Sequence, residues 1–147
     1  MTAAVDPTRE AMAAFRDLPL DRPIAMLNLL RFRERAAYAD DVDAAIPRDV
    51  SGADAYAAYG RAAASPFARA GGRQVWLGAP QLTVIGPADE AWDLAFVAEY
   101  PSGDAFLGML RDPGYQAAVV HRQAAVADSR LIRCDARRPG PAFGADR

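Results

Sequence analysis

The chain contains no lysine, since all seventeen basic residues among its 147 positions are arginine. That absence excludes Schiff-base chemistry, a lysine general base and a P-loop lysine together. Cysteine and histidine occur once each, as Cys134 and His121. One thiol cannot close an intrachain disulfide, and one imidazole leaves zinc short of its usual ligands, so no metal or other cofactor is expected. Excess charge is missing too: the formal net charge is -2 and the arginines are scattered along the chain. Nucleic acid is therefore not an expected partner. No apolar run approaches the ~18 residues of a membrane helix. The opening MTAAVDPTRE lacks the basic-then-apolar order of a signal peptide, which points to the cytoplasm and away from membranes.

What is present is the balance of a folded domain, 52% hydrophobic and 24% charged. A single domain of this length buries roughly 68–70% of its unfolded surface, enough for a core without staples. Asp6 followed by Pro7 reads as a helix cap, and Thr8, Met12, Phe15 and Leu18 follow helical spacing in an N-terminal extension over residues 1–22. Residues 24–32, IAMLNLLRF, form a nearly unbroken apolar run of strand length that predicts a strand buried on both faces. Residues 33–50 are a charged insertion, either a lid or a solvated loop. Asp40, Asp41 and Asp43 within it lack the glycine and distal glutamate of an EF-hand loop.

Ser51 and Asp54 resemble a capping box that opens a helix ending at Gly71-Gly72. RQVWLG and QLTVIG then predict a strand pair broken at Ala79-Pro80, followed by a strand in WDLAFVAEY. Ser102 opens another helix, Asp112-Pro113 restarts it, and it runs to about Ala127. SRLIRC, residues 129–134, is the closing strand, and residues 136–147 are a Pro/Gly-rich flexible tail.

After the leading helix this order is the split βαβ pattern of a ferredoxin-like α+β domain over residues 23–135, with its first and third strands central. Both helices of such a domain cover one sheet face, yet the central strands are apolar on both. The open face requires a cover. A second copy stacked sheet against sheet supplies one, predicting a homodimer that encloses an apolar space; the leading helix folded over that face is the alternative.

MLNLLRF on the first strand, AYAAYGRAAASPFARAGGR through the first main helix and DPGYQAAVVHRQAAVADSRLI near the end together resemble domain-of-unknown-function family 1330, in the dimeric α+β barrel superfamily. The resemblance spans about residues 24–134 and implies the same ferredoxin-like dimer. The leading helix and the charged insertion depart from the shorter family pattern.

Asn28 is the one uncharged polar side chain of the first strand and is expected either to bond backbone or to face a pocket in the enclosed dimer space. His121, on the second main helix, is a candidate catalytic residue with Asn28, or else simply packed. Asp128, Ser129 and Arg130 are expected at the helix-to-strand turn, as ligand contacts with His121 nearby or as a turn cap and ion pair; no G-x-S-x-G elbow supports a hydrolytic triad. Arg31 could clamp a carboxylate or phosphate, or pair with an acid of the insertion. Tyr56 and Tyr59 read as core, with hydroxyls reaching the helix edge or the dimer seam, which makes Tyr59 a ligand-contact candidate. Haem-degrading monooxygenases of the resembled superfamily use Asn, Trp and His, and Asn28, Trp92 and His121 occur here in that order. The functions expected are thus a small-molecule binder or cofactor-free enzyme with an apolar pocket at the sheet interface, a non-catalytic dimeric scaffold or regulator, or a haem monooxygenase-like protein.

Overall fold

In the computed structural model, which describes residues 3–144, the apolar run becomes β1 (Ile24–Phe32). It hydrogen-bonds antiparallel to β3 (Leu94–Tyr100) on one edge and to β4 (Val126–Asp135) on the other. β2 (Arg73–Gly78) adds to β3, giving a four-stranded sheet in the order β2-β3-β1-β4. First and third strands are central, as the element order predicts. Helices α2 (Gly52–Arg69), α3 (Gly103–Arg111) and α4 (Pro113–Ala125) alternate with the strands, and α1 (Arg9–Asp17) precedes them. This is the ferredoxin-like α+β architecture.

Strand parity sorts the side chains. Ile24, Met26 and Leu30 of β1 are 1%, 3% and 0% exposed and pack under the helices, with Ala98 and Tyr100 of β3. Leu27 and Leu29 alternate onto the opposite face, in register with Val97, Ala95, Ile132 and Arg130. Phe15 of α1 joins the helix-side core, its ring centroid 5.2 Å from that of Phe106. Arg133 of β4 lies over the Phe15 ring and donates to the carbonyl oxygens of Phe15 and Pro19 at the end of α1. The leading helix is therefore held on the helix side and leaves the second sheet face open.

Local chemistry moves several boundaries from their expected places. Thr8, not Asp6, caps α1 by accepting from the Ala11 amide at 3.0 Å, because the Asp6 carboxylate instead accepts from Gln123 of α4. Ser51 caps α2 as expected. That helix ends in a Schellman turn: the Gly72 amide reaches the Phe67 carbonyl, the Gly71 amide reaches Ala68, and Gly71 takes φ 75°. QLTVIG is not a strand. Both edges of β3 are already occupied by β1 and β2, so residues 81–86 find no edge there and stay exposed. Trp92 precedes β3 rather than beginning it. At the other end α4 stops at Ala125 and the extended, fully buried Val126 opens β4 at once, three residues before the expected strand.

The insertion is anchored rather than loose at its base. Amides of Arg33 and Ala37 donate to the carbonyls of Ala125 and Ala124, satisfying the end of α4, and Ala36, Tyr38 and Val50 pack on the second core cluster. Residues 136–144 have no regular structure and are mostly exposed, and the ends of the expected extension and tail, residues 1–2 and 145–147, lie outside the described residues.

Two glycines of α2 differ in what surrounds them. A Cβ on Gly52 would stand 2.1 Å from the Arg33 carbonyl oxygen and 2.8 Å from that of Ala125, whereas one on Gly60 would meet nothing within 4 Å. Gly52→Ala should destabilise the protein by at least about 1–3 kcal/mol. Gly60→Ala should stabilise it by about 0.5–1 kcal/mol. Thermal melts of the two variants check both signs.

Candidate functional site

Asn28 lies on the same face of β1 as Met26 and Leu30, under the helices. It does not face the open side of the sheet, where a pocket between two sheets was expected, because an even position in this strand shares the parity of the core. Met26 belongs to one core cluster and Leu30 to the other, and Asn28 falls between them. Unlike those neighbours it remains half-exposed. Its Nδ2 donates to the Met26 carbonyl at 3.1 Å, while its Oδ1 has no protein partner among the described residues. Asn28 therefore bonds backbone through its nitrogen and keeps its oxygen open.

Helix α2 lays an aromatic row over this side of β1. Tyr56 lies 5.0 Å from Phe32 and 5.3 Å from Tyr59, ring centre to ring centre, and Tyr59 continues to Tyr115 of α4 at 6.1 Å. The Tyr59 hydroxyl meets the Tyr115 hydroxyl at 3.0 Å in the interior, not at a dimer seam. Burial pushes the Tyr56 and Tyr59 hydroxyls well above the ordinary tyrosine range, partly opposed by the nearby Arg122 guanidinium. The Tyr56 hydroxyl itself has no protein partner among the described residues and is not sealed off. Arg122 points the same way and contacts Ser129 Oγ at 3.4 Å. Together Asn28, Tyr56, Tyr59, Tyr115, Arg122 and Ser129 make a polar layer between the two apolar clusters.

The N-terminal segment straps this layer at the α4–β4 junction. The Ala4 amide donates to Asp128 Oδ1 at 2.9 Å, Ser129 Oγ donates to the Ala4 carbonyl at 2.7 Å, and Arg122 donates to the Val5 carbonyl at 2.5 Å. Donation from Ala4, and then from Arg130 and Ser129, holds the Asp128 carboxyl below the usual carboxylate range despite partial burial. Farther along the same edge, Leu131, paired with Asn28 in register, is 41% exposed.

On the opposite sheet face four of the expected ligand contacts converge. Asp128 pairs with Arg31 at 3.3 Å and with Arg130 at 3.0 Å, and both guanidiniums lie over the Trp92 ring, 5.7 and 5.2 Å from its centre. Glu90 adds a contact to Arg130 at 3.7 Å. Arg31 therefore pairs with a strand residue rather than with the insertion. Asp128, Ser129 and Arg130 lie within β4 rather than at a turn, because the strand begins earlier than expected. Among the described residues two acids face two arginines here, so their charges balance.

His121 belongs to neither group. Its Nδ1 meets the Tyr38 hydroxyl of the insertion at 2.7 Å. Burial, with the charge of Arg61, lowers its proton affinity. Ser129 is engaged by Ala4 and Arg122, so no serine–histidine bond forms. Asn28 and Trp92 lie on opposite sheet faces, so the Asn, Trp and His of the haem analogy do not converge. No group of three or more His, Cys, Asp or Glu side chains that could hold a metal ion forms among the described residues. No helix among them is long and apolar enough to cross a membrane. A surface depression of about 260 Å³ beside Arg69 and Asp112, between α2 and α3, contains none of the expected residues.

Sequence reasoning missed Arg122, Tyr115 and Tyr38 as site residues. Arg122 was readable: a charge four residues after Ala118 and three before Ala125 interrupts an apolar helical stripe. The Tyr38–His121 contact spans 83 residues and had no local signal.

Fold and site define a ferredoxin-like α+β protein with a polar layer buried between sheet and helices. The family described as "Domain of unknown function (DUF1330)" matches residues 44–134, and the chain belongs to it. That match begins inside the insertion and leaves out β1. Among solved structures, a protein of unknown function from Rhodopseudomonas palustris is 53% identical, with a TM-score of 0.84, covering 94% of this chain and 100% of the other. Its methylated form is 54% identical with a TM-score of 0.87, covering 95% and 99%. SnoaB, a cofactor-independent oxygenase from Streptomyces nogalater, shares the fold at 19% identity and a TM-score of 0.50, covering 82% of this chain and 99% of its own. No match was found among curated proteins.

The His121 environment sets a pH dependence. The folded protein resists protonation there while the unfolded chain accepts a proton near 6.5, so stability is full above that value and declines as pH falls below it. His121→Gln should flatten the decline of melting temperature between pH 6.5 and the onset of carboxylate titration. A slope equal to that of the wild type would assign the decline to other groups.

Proposed function

We propose that this protein is a homodimeric small-molecule-binding protein whose ligand sits between the sheet and helices α2 and α4, around Asn28. The observation that carries this reading is the accessible Asn28 amide, placed mid-strand between Met26 and Leu30, which are 3% and 0% exposed. A half-open polar group at that depth needs empty space beside it. The apolar rings and few unfilled polar groups around it are the composition of a ligand site. The oxygenase from Streptomyces nogalater is described as cofactor-independent, so a protein of this fold can serve chemistry without a cofactor. Binding is the function that the geometry here supports.

Pairing of two copies rests on a separate observation. Leu27, Leu29 and Val97 line the open sheet face, Trp76 and Ile132 on that face are 55% and 47% exposed, and Leu82, Val84 and Ile85 of the following loop exceed 80%. Removing each such side chain from water contributes roughly 1.5–3 kcal/mol. A second copy placed sheet to sheet covers them. α1 cannot, because it is held on the helix side.

Asn28→Leu should fill the hollow and raise the dissociation constant of the neutral fluorophore N-phenyl-1-naphthylamine by about tenfold or more, with the melting temperature kept. Unchanged affinity would retire the chamber. Light scattering at micromolar concentration should give twice the chain mass, and Trp76→Glu should shift it toward one. A folded solitary wild-type chain would rule out the dimer.

A further inference from the structure

Arg122 and Arg133 both reach the helix side without a carboxylate among the described residues, but Arg133 is spent on the Phe15 ring and the carbonyls that end α1. Ala118 and Ala125, one turn to either side of Arg122 on α4, are 0% exposed, so helical spacing turns the guanidinium toward the sheet. Its two protein contacts, the Val5 carbonyl and Ser129 Oγ, are neutral acceptors. Arg31, Arg69, Arg73 and Arg130 each face a carboxylate within 4 Å. Among the described residues Arg122 has none. A guanidinium presents five N–H donors in a flat fork suited to a planar anion, and two contacts leave donors to spare. Its contact with Ser129, which pairs in register with Leu30, sets the guanidinium beside β1 two residues from Asn28. A half-buried cation without a counter-ion costs free energy that an incoming anion would recover.

We infer, on the basis of the chamber proposed above, that the natural ligand is an apolar ring-bearing molecule carrying one acidic group, which Arg122 binds while the rings lie along the Phe32–Tyr56–Tyr59 row. Asn28 and Tyr56, whose carbonyl and hydroxyl oxygens lack protein partners, supply the remaining polar contacts to a carbonyl or hydroxyl of that molecule. The acidic group is a carboxylate or an ionised enol or phenol; these share the flat, oxygen-borne negative charge that a guanidinium fork accepts. A strongly polar polyanion is disfavoured, since the Phe32–Tyr56–Tyr59 row offers it aromatic surface rather than further cations.

Two fluorophores with one skeleton separate this inference from the chamber itself. N-phenyl-1-naphthylamine is neutral, and 8-anilinonaphthalene-1-sulfonate adds a single negative charge. The wild-type dimer should bind the anion at least about tenfold more tightly. Arg122→Met should bring the two probes near parity by weakening the anion alone, and Asn28→Leu should weaken both. Should the Arg122 variant not fold, the Arg122 Nε–H resonance of the wild-type protein should shift with the anionic probe and stay in place with the neutral one. Equal binding of the two probes by the wild type, an anion preference that survives Arg122→Met, or an unmoved resonance overturns the inference while leaving the chamber standing. Failure of the wild type to bind either probe overturns both.

Discussion

Everything described rests on the pairing of β1 along both of its edges. β3 and β4 fix the register of its nine residues, and that register decides which side chains enter the core and which face outward. A slip of one residue would carry Ile24, Met26 and Leu30 to the open face and bring Arg31 inside. The strand is apolar at nearly every position, so hydrophobicity alone does not choose between the two registers. Polar positions on the neighbouring strand do: Arg31 meets Asp128 on one face, and Ser129 meets Leu30 on the other, where the N-terminal strap and Arg122 satisfy its hydroxyl.

The same strand explains why two polar centres lie back to back. Adjacent residues of β4 point to opposite faces, so Asp128 and Ser129 serve different networks although the Asp128 carboxylate also accepts the Ser129 amide. Outside, Asp128 is the hub for two guanidiniums stacked on Trp92. Inside, Ser129 is bound to the Ala4 carbonyl and to Arg122. The Ala4 amide reaches around to Asp128, so the strap ties both networks to one short segment. Residues 4–6 are thereby tied to α4 and β4 rather than hanging free of them.

The order of elements, the central position of the first and third strands and the capping residues Ser51, Ser102 and Asp112 were legible in the sequence, because each depends on neighbours within a few positions. The side on which Asn28 faces was not. In a strand apolar on both faces, alternation carries no contrast, and only the cross-strand register reveals the parity. QLTVIG reads as a strand by composition, yet strand formation requires a free edge, a property of the assembled sheet. Asp6 likewise has the right chemistry for a cap and loses the role to Thr8 because Gln123, far away in the chain, engages its carboxylate. Arg31, Trp92, Asp128 and Arg130 were each singled out in the sequence for separate reasons, and nothing local showed that they meet. Their mutual neutralisation needed the geometry.

The passage from α4 to β4 has no connecting residue, since Ala125 closes the helix and Val126 opens the strand. Helix and strand are geared to each other: the rotation of one dictates the pleat of the other. Such a junction has no slack, so evolutionary lengthening or shortening at this point would change the phase of every downstream side chain at once. Loops elsewhere in the chain can drift in length, whereas this seam can vary only in composition.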